Sequence, residues 1–317
     1  MATKNQLNVD PVLSNVSIQY KNSEMSYVSE KIFPVVPVDN DTGIYYTYDR
    51  SIYRAENDTR GAGSAANVVD FNLSQSTYGP ILDHALKARI TDEDREIAGK
   101  NGVDLESDTT EFLTHLILLN KEKDFYSTVT NTSVIPAANR TTLSGTSQWS
   151  DYGNSDPITN VQTWKDAVKS AVGLVPNTLM LSYDVYSMLL NHPAFLERRK
   201  YTALGIVDTT LLSQVFQIPN VVVADAQENT ALEGQTDSMS YIFSKKAWLF
   251  YVTSRPGKKT VSAGYTLRHD IGGLARQVER WRDPNADMKQ DWFMCSYRYQ
   301  HKLMATSAIY YAGAVIA

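Results

Sequence analysis

Residues 32–53 read IFPVVPVDNDTGIYYTYDRSIY, a proline-rich segment followed directly by a tyrosine-rich one. Pro34 and Pro37 each remove a backbone hydrogen-bond donor, which forbids a helix and a central strand in the first segment. Upstream, short apolar positions are scattered among polar residues. We therefore predict that residues 1–40 form an extended arm lying over another surface.

The tyrosine-rich segment predicts the first strand of a long hairpin. A polar, glycine-containing stretch follows at residues 56–64, and a strand-like pattern resumes at residues 68–73. Two extended runs around a loose tip are typical of a hairpin. Because this one contains few large aliphatic side chains, it needs another surface to support it.

The middle of the chain predicts helices followed by an α/β layer. We expect a helix of about 20 residues that starts near Asp108, where Glu111 completes a capping-box spacing. Residues 132–158 are rich in Ser, Thr, Asn and Gly and predict a loop or hairpin. Apolar strands then alternate with helices over about 154–252, which favours a small α/β domain.

Several boundaries in that domain can be predicted. A helix capped at Thr159 should end at Gly173, and buried strands should follow at residues 178–182 and 221–224. Helices are expected over roughly 183–201 and 209–217, and Ile242 to Val252 predicts one more strand. The last segment, 260–317, is mostly β in pattern, and the apolar stretch from Met304 to Ala317 predicts a buried strand.

Composition excludes several classes of protein. The 317 residues suggest about two domains, with 43% hydrophobic and 21% charged side chains, which is ordinary globular usage. No apolar run reaches the ~18 residues of a membrane span, so we expect no membrane partner. The N-terminus lacks the apolar core of a secretory signal. A single cysteine, Cys295, predicts a buried, inert thiol in a reducing cytosol.

Charge is distributed unevenly. The net charge of −5 argues against a dedicated nucleic-acid-binding protein. Residues 253–317, however, carry ten basic and five acidic side chains, whereas residues 81–252 carry fourteen and twenty-one. A mildly acidic average therefore conceals a basic last fifth.

Sequence motifs for catalysis or cofactors are incomplete. Residues 61–66 match G-x-G-x-x-A, but they precede a strand pattern instead of opening a helix. Asp283, Asn285 and Asp287 have calcium-loop spacing, but the positions that need Gly and Glu are both Met. No histidine pair has metal-ligand spacing. We therefore predict no catalytic, cofactor-binding or metal-binding residues, and no enzyme.

Three stretches carry a family resemblance: residues 32–38 (IFPVVPV), residues 61–90 and residues 176–226. Together with the order of the predicted elements, the chain resembles the major capsid proteins of tailed bacteriophages, the HK-ninety-seven-type fold family. The resemblance implies an α+β fold with an N-terminal arm (1–40) and an extended loop (41–82). It further implies a peripheral domain (83–153 and 254–317), built on a spine helix and β-strands, and an α/β axial domain (154–253).

The resemblance also implies function and partners. The chain would be a virion subunit forming pentamers and hexamers of an icosahedral capsid around double-stranded DNA, contacted non-specifically. Assembly would take place in the host cytoplasm with a separate scaffolding protein and a portal, and a decoration protein is left open. An encapsulin-like compartment shell is the alternative, and a soluble α/β enzyme is a minor one.

The resemblance directs attention to two sets of residues. Expected contacts of the extended loop with a neighbouring subunit come from Tyr45, Tyr46, Tyr48, Tyr53, Arg54, Arg60 and Phe71. Basic residues expected to face DNA or an acidic region of a neighbour are Arg268, Arg276, Arg280, Arg282 and Arg298. Subunit contact is favoured over DNA for the second set. Some family members cross-link through a loop lysine, but residues 41–80 contain none.

Overall fold

A computed structural model describes residues 27–48, 55–69, 73–100, 104–199, 208–253, 255–257, 260–270, 274–285 and 287–317. Seven helices in these ranges are α1 (Ser29–Ile32), α2 (Asp92–Lys100), α3 (Leu105–Thr130), α4 (Pro157–Val172), α5 (Tyr183–Leu190), α6 (Pro193–Arg199) and α7 (Thr209–Phe216). In the described part of the chain, none of the helices has the length and hydropathy needed to cross a bilayer.

The described strands form two five-stranded sheets and two separate hairpins. Those before residue 150 are β1 (Val35–Val38), β2 (Gly43–Tyr48), β3 (Leu73–Tyr78), β4 (Leu82–Thr91) and β5 (Arg140–Thr142). Residues 154–253 add β6 (Thr178–Ser182), β7 (Asn220–Ala224), β8 (Gln227–Asn229), β9 (Met239–Tyr241) and β10 (Ala247–Phe250). The last are β11 (Gly264–His269), β12 (Gln277–Arg282), β13 (Gln290–Leu303) and β14 (Ile309–Gly313).

The first sheet is organised around β13, which pairs antiparallel with β4, β11 and β12. The proline-rich segment forms β1, which pairs parallel with β11 and is an edge strand. Pro37 lies in this strand, where the missing donor costs least because only one side is paired. The prediction that the prolines exclude a helix and a central strand is confirmed.

The second sheet has the order β5-β14-β10-β6-β7. Its two parallel strands β6 and β7 confirm the two predicted strands of the α/β layer. Strand β6 is fully buried, as predicted, whereas β7 lies at the sheet edge and is buried only at Ala224. The strand predicted for residues 242–252 is shorter, β10 alone, because Lys245 takes a left-handed φ of 54° and turns the chain.

The second sheet also contains strands from outside the predicted α/β segment. The segment 132–158, predicted as a loop or hairpin, contributes β5, which pairs parallel with β14. Asn139 stabilises the β5–β14 pairing, because its side-chain amide donates to the carbonyls of Ser307 and Ile309 at 2.7 and 3.1 Å. Segment 254–317 therefore contributes to both sheets: β11, β12 and β13 lie in the first, and its last strand, β14, lies in the second. That strand is fully buried, as predicted.

Two predicted N-cap residues, Asp108 and Thr159, are wrong by four and three positions. The long helix α3 begins after Asp104, whose carboxylate accepts the backbone N–H groups of Glu106 and Ser107 at 3.2 and 3.4 Å. Similarly, Asp156 caps α4 in place of Thr159, with Pro157 at the first helical position. Each segment offers several capping side chains, and sequence alone does not select among them. The predicted stop at Gly173 is confirmed by its left-handed φ of 80°.

The 26-residue helix α3 bridges the two sheets. Near its N-terminal end, Leu113 and Ile117 pack on residues of the first sheet such as Phe293. Near its C-terminal end, Phe125 and Val129 pack with the arm and one face of the second sheet. The other face of that sheet is covered by α4, α5, α6 and α7. Both sheets therefore pack against the same helix, α3.

Candidate assembly surfaces

The predicted hairpin is confirmed as a two-stranded ribbon. Strands β2 and β3 pair antiparallel from Gly43 opposite Tyr78 to Tyr48 opposite Leu73. In the described chain these strands pair with each other and with neither large sheet. Ile44 and Tyr46 are each 52% exposed, and Tyr45 is half-buried. A two-stranded ribbon with exposed apolar side chains is marginal alone and gains stability from a further surface.

The tip of the hairpin is also exposed. Residues 55–69 have no regular secondary structure, and Val68 and Val69 are 87% and 65% exposed. Arg60 is exposed there as well. The other expected contact residues, Tyr53, Arg54 and Phe71, lie outside the described residues, as does the side chain of Tyr48. Their assignment stays a prediction.

The hairpin is attached to the first sheet at its base. The Gly79 N–H donates to Oε1 of Gln300 at 3.0 Å, and the Ile81 N–H donates to the carbonyl of Asp41 at 2.9 Å. Gly79 has a φ of +95°, and a Cβ there would lie 2.3 Å from the carbonyl oxygen of Asp41. Only glycine fits this crossing of the two strands.

The arm is held by two buried charges on α3. The Glu122 carboxylate accepts the backbone N–H groups of Val28 and Ser29 at 2.9 and 3.2 Å, and so caps the four-residue helix α1. Burial raises the pKa of Glu122, although these hydrogen bonds act in the opposite direction. The neighbouring Lys121 Nζ lies 2.5 Å from Oε1 of Glu30. Sequence could not assign these two side chains to the arm, because they are far from their partners along the chain. The separation is 93 or 94 residues for Glu122 and 91 residues for Lys121.

Two of the expected basic residues belong to an ion-pair network inside the chain. The Asp291 side chain is 7% exposed. Its carboxylate oxygens pair with guanidinium nitrogens of Arg95 at 2.7 Å and of Arg280 and Arg282 at 3.1 Å. Glu106 joins Arg95 to Arg280 with distances of 3.1 and 3.0 Å. Burial raises the pKa of Asp291, but the three arginine hydrogen bonds outweigh it and bring the pKa below its ordinary value.

A further carboxylate closes the network. Arg282 binds Asp92 with both guanidinium nitrogens, at 2.6 and 2.5 Å. The hydrogen bond from Arg282 lowers the pKa of Asp92, which keeps this exposed pair charged. The network therefore connects the starts of α2 and α3 to the β12–β13 hairpin.

The other expected basic residues also lie near their own chain's groups. Arg298 pairs with Asp83 at 3.4 Å, and Arg268 with Asp270 at 2.6 Å. Arg276 is half-buried, and desolvation lowers the pKa of its guanidinium. The pairs Arg280–Glu106, Arg282–Asp92 and Arg298–Asp83 join the basic last fifth to the acidic region 81–252 within one chain. Contact of these arginines with DNA or a neighbouring subunit stays a prediction.

Exposed cations that the sequence reading missed lie on β4. Lys87 and Arg89 are exposed, and Lys87 Nζ lies 4.4 Å from the centre of the Trp292 ring. Their spacing of two residues on a strand was the available signal, since it places them on one face. Cys295 is fully buried, as predicted.

Comparison with known proteins decides the family. The chain is 30% identical to the major capsid protein of Burkholderia phage BcepMu over 270 residues, covering 82% of this chain and 83% of that protein. The chain belongs to the phage major capsid protein family. A second member, from Pseudomonas phage JBD67, is 30% identical over 77% of each chain. No protein-family model matches the sequence.

Superposition on solved structures shows that the chain has a phage capsid fold. A phage-related protein from Bordetella bronchiseptica superposes with a TM-score of 0.75 at 26% identity, covering 98% of both chains. The capsid protein of cyanophage P-SCSP1u gives a TM-score of 0.60 at 10% identity over 93% of this chain and 90% of that one. These matches confirm the predicted α+β, HK-ninety-seven-type capsid fold.

An encapsulin from Synechococcus elongatus gives a TM-score of 0.58 at 10% identity, over 100% of this chain and 98% of that one. At that identity the likeness extends to the fold alone. Fold by itself therefore does not separate phage capsid subunits from encapsulin shells, whereas the 30% identical relatives are capsid proteins.

Proposed function

We propose that this chain is the structural subunit of an icosahedral phage capsid, forming pentamers and hexamers that enclose double-stranded DNA. The single observation that supports self-association most directly is the β2–β3 ribbon, which exposes Ile44 and Tyr46 and pairs with neither large sheet of the described chain. Such a ribbon gains its missing surface from a neighbouring subunit, so folding of the hairpin and assembly are linked.

The division into arm (1–40), extended loop (41–82), peripheral domain (83–153 and 254–317) and axial domain (154–253) is part of the proposal. The strand pairing supports one change. Strands β5 and β14 contribute to the sheet of the axial domain, although both lie in segments assigned to the peripheral domain. The axial domain then includes residues 140–142 and 309–313.

The proposed partners follow from a capsid role. They are further copies of this chain, a separate scaffolding protein, a portal, packaged DNA bound non-specifically and, where the phage has one, a decoration protein. Assembly takes place in the host cytoplasm. Four of the expected basic residues already pair with carboxylates of their own chain: Arg268, Arg280, Arg282 and Arg298. These pairs reduce the positive charge available to bind a polyanion such as DNA.

Electron microscopy of the protein, expressed with the neighbouring head genes of its phage, tests the proposal. Closed shells or rings with five-fold and six-fold units are the expected result. Persistent monomers would contradict it. An encapsulin-like compartment, the second candidate, would instead close around an enzyme, so identifying what the shells contain separates the two.

A further inference from the structure

The second sheet has a strand with one free side at each end. Within the described residues, β5 pairs with β14 alone and β7 pairs with β6 alone. The two edge strands run in the same direction, because each is parallel to its neighbour and β10 is antiparallel to both β14 and β6. A free edge exposes a row of backbone N–H and C=O groups that can pair with another chain.

The free edge of β7 lacks the protection that other edges of this chain have. Its sequence is NVVVA, with no charged side chain and no proline, and its three valines are each half-buried. By contrast, the edge strand β1 contains Pro37, and the edge strands β4 and β12 each contain three charged side chains. Since proteins usually block exposed edges with charges or proline, an unblocked edge indicates a pairing site.

The hydrogen bond at the start of β7 identifies the backbone groups that face its free side. The Asn220 N–H donates to the carbonyl of Asn177 at 3.2 Å, which is the side paired with β6. Successive residues of a strand direct their N–H and C=O groups to opposite sides. Val221 and Val223 therefore present theirs to the free side.

Strand β5 presents the same kind of edge. The Leu143 N–H donates to the carbonyl of Gly313 at 3.0 Å, toward β14. Arg140 and Thr142 lie an odd number of positions from Leu143, so their N–H and C=O groups face the free side. Both residues are exposed.

Each free edge borders a cleft. The cleft beside β5 has a volume of about 430 Å³ and is lined by Arg140 and Tyr311 among others. The cleft beside β7 has a volume of about 580 Å³, and Val222 contributes to its lining. Cross-strand register joins the two edges in one row: Arg140, Tyr311, Trp248, Met180 and Val222. Because residues of one row share a face, both clefts lie on the same face of the sheet.

We infer that β5 of one copy of this chain pairs with β7 of the next copy, so that the second sheets of neighbouring copies join edge to edge in a ring. The inference rests on the proposed shell function and names one contact between its subunits. Two different edges meet, so the contact is head-to-tail, the kind that generates rings when its rotation closes. Rotation about an axis along the strands preserves their direction, so the new pair is parallel, as β6 and β7 are.

The free backbone groups specify the register of this contact. In a parallel pair, one residue bonds with its N–H and C=O to two residues that flank its opposite number. Thr142 then donates to the carbonyl of Val221 and accepts the N–H of Val223, and its side chain lies opposite Val222. The two clefts become neighbours on one face of the joined sheets.

Proline substitution tests the pairing. Thr142→Pro removes an outward-facing donor and keeps the inward bond of Leu143, so the subunit should fold while the yield of shells falls about tenfold or more. The matched control Thr142→Val keeps the donor and the branched shape and should assemble normally. Val223→Pro and its control Val223→Thr make the same comparison on the other edge. A normal shell yield from a folded proline variant would overturn the inference.

Disulfide cross-linking gives a direct readout. Thr142 and Val222 lie on opposite edges of a five-stranded sheet, about 19 Å apart at four strand spacings, which is too far for a disulfide within one chain. Across the paired edges of two copies they are about 4.8 Å apart, within disulfide reach. Oxidised shells of Thr142→Cys/Val222→Cys should therefore give a ladder of linked chains on a non-reducing gel. Each single variant should give no ladder, since Cys295 is buried.

Failure of the edge pairing and failure of the proposed function give different results. Intact shells of the double-cysteine protein without a ladder would overturn the edge pairing alone. Linkage of Val222→Cys to a different protein in place of a second copy would also overturn it. If the unsubstituted protein, expressed with the neighbouring head genes of its phage, forms no shell, the proposed function itself is contradicted.

Discussion

At the residue scale, two adjacent charges on α3 determine how the arm is held. Lys121 and Glu122 are 1% and 0% exposed, and both bind the segment around α1. A four-residue helix has too few internal hydrogen bonds to be stable by itself. The Glu122 carboxylate supplies acceptors for its first N–H groups, so the arm's position depends on one side chain from another element.

Glu122→Ala should therefore destabilise the protein by about 1–3 kcal/mol, because two buried backbone donors lose their acceptor. Urea unfolding at neutral pH measures the change. The matched control is Glu111→Ala, on an exposed position of the same helix, which should cost about 0.5 kcal/mol or less. Equal effects of the two substitutions would show that Glu122 does not hold the arm.

His301 makes stability depend on pH. Burial, and then the charge of Lys121, lower the pKa of His301 to about 3. Its ring nitrogens lie 3.0 Å from Oγ1 of Thr266 and 3.2 Å from the carbonyl oxygen of Lys121. An unfolded histidine takes up its proton near pH 6.5, whereas the native one stays neutral down to about pH 3.

The unfolded state therefore binds more protons between those two values, and native stability falls as the pH drops below about 6.5. Between pH 7.5 and pH 5 the loss from this residue should be about 2 kcal/mol. Urea unfolding at several pH values measures it. His301→Gln should remove most of this slope even if it lowers stability throughout. An unchanged slope would assign the acid sensitivity to other groups.

At the element scale, the arginine network connects the β12–β13 hairpin to the starts of α2 and α3. Asp291→Asn keeps the shape of the side chain that binds the three arginines but removes its charge. The substitution should lower the free energy of unfolding by only about 1–2 kcal/mol, because the arginines remain partly solvated. The difference from the unsubstituted protein should shrink as salt concentration rises, because ions screen the pairs. Thermal unfolding at two ionic strengths measures both effects.

The control for the network is Asp287→Asn, an exposed carboxylate nearby with no ion pair in the described chain. It should leave the melting temperature unchanged at either ionic strength. If Asp291→Asn also leaves the melting temperature unchanged, the ion pairs contribute no net stability and the β12–β13 hairpin is held by packing alone.

The extended hairpin is expected to function only in assembly. Deleting residues 50–65 removes its tip without touching the buried residues of either large sheet. The shortened subunit should keep its circular dichroism spectrum and cooperative unfolding but fail to form shells. Size-exclusion chromatography and electron microscopy measure the outcome. Intact shells from the deletion variant would rule out an interface role for the tip.

At the scale of the whole molecule, strand β14 completes a sheet whose first strand, β5, begins at Arg140. Strand β14 lies between β5 and β10, and Ile309 and Ala312 are fully buried. Removing residues 309–317 should therefore leave no stably folded protein, because an interior strand and part of both core clusters are lost. Removing only the exposed Ala317 should leave unfolding unchanged.

Local chemistry made several elements predictable. The positions of Pro34 and Pro37 excluded a helix and a central strand in the arm, and Gly173 ended a helix where a left-handed residue was needed. The hairpin followed from two strand-like runs around a polar tip. Helix starts were less certain, because Asp104 and Asp156 compete with other capping side chains a turn away.

Partners distant in sequence were not predictable. The basic last fifth was expected to need a neighbour or DNA, but the fold brings Asp83, Asp92 and Glu106 to it within the chain. The clustering of Lys87, Trp281 and Trp292 on the first sheet was missed for a related reason, because these residues belong to three strands whose register no local pattern contains.

Local sequence predicted most of the elements and an exposed hairpin that needs a partner, because propensity, proline and glycine act over a few residues. Tertiary structure decided which strands share a sheet, which charges neutralise each other and which face of the first sheet packs on α3. These depend on strand register and chain crossing, where contacts between distant residues outweigh local preference.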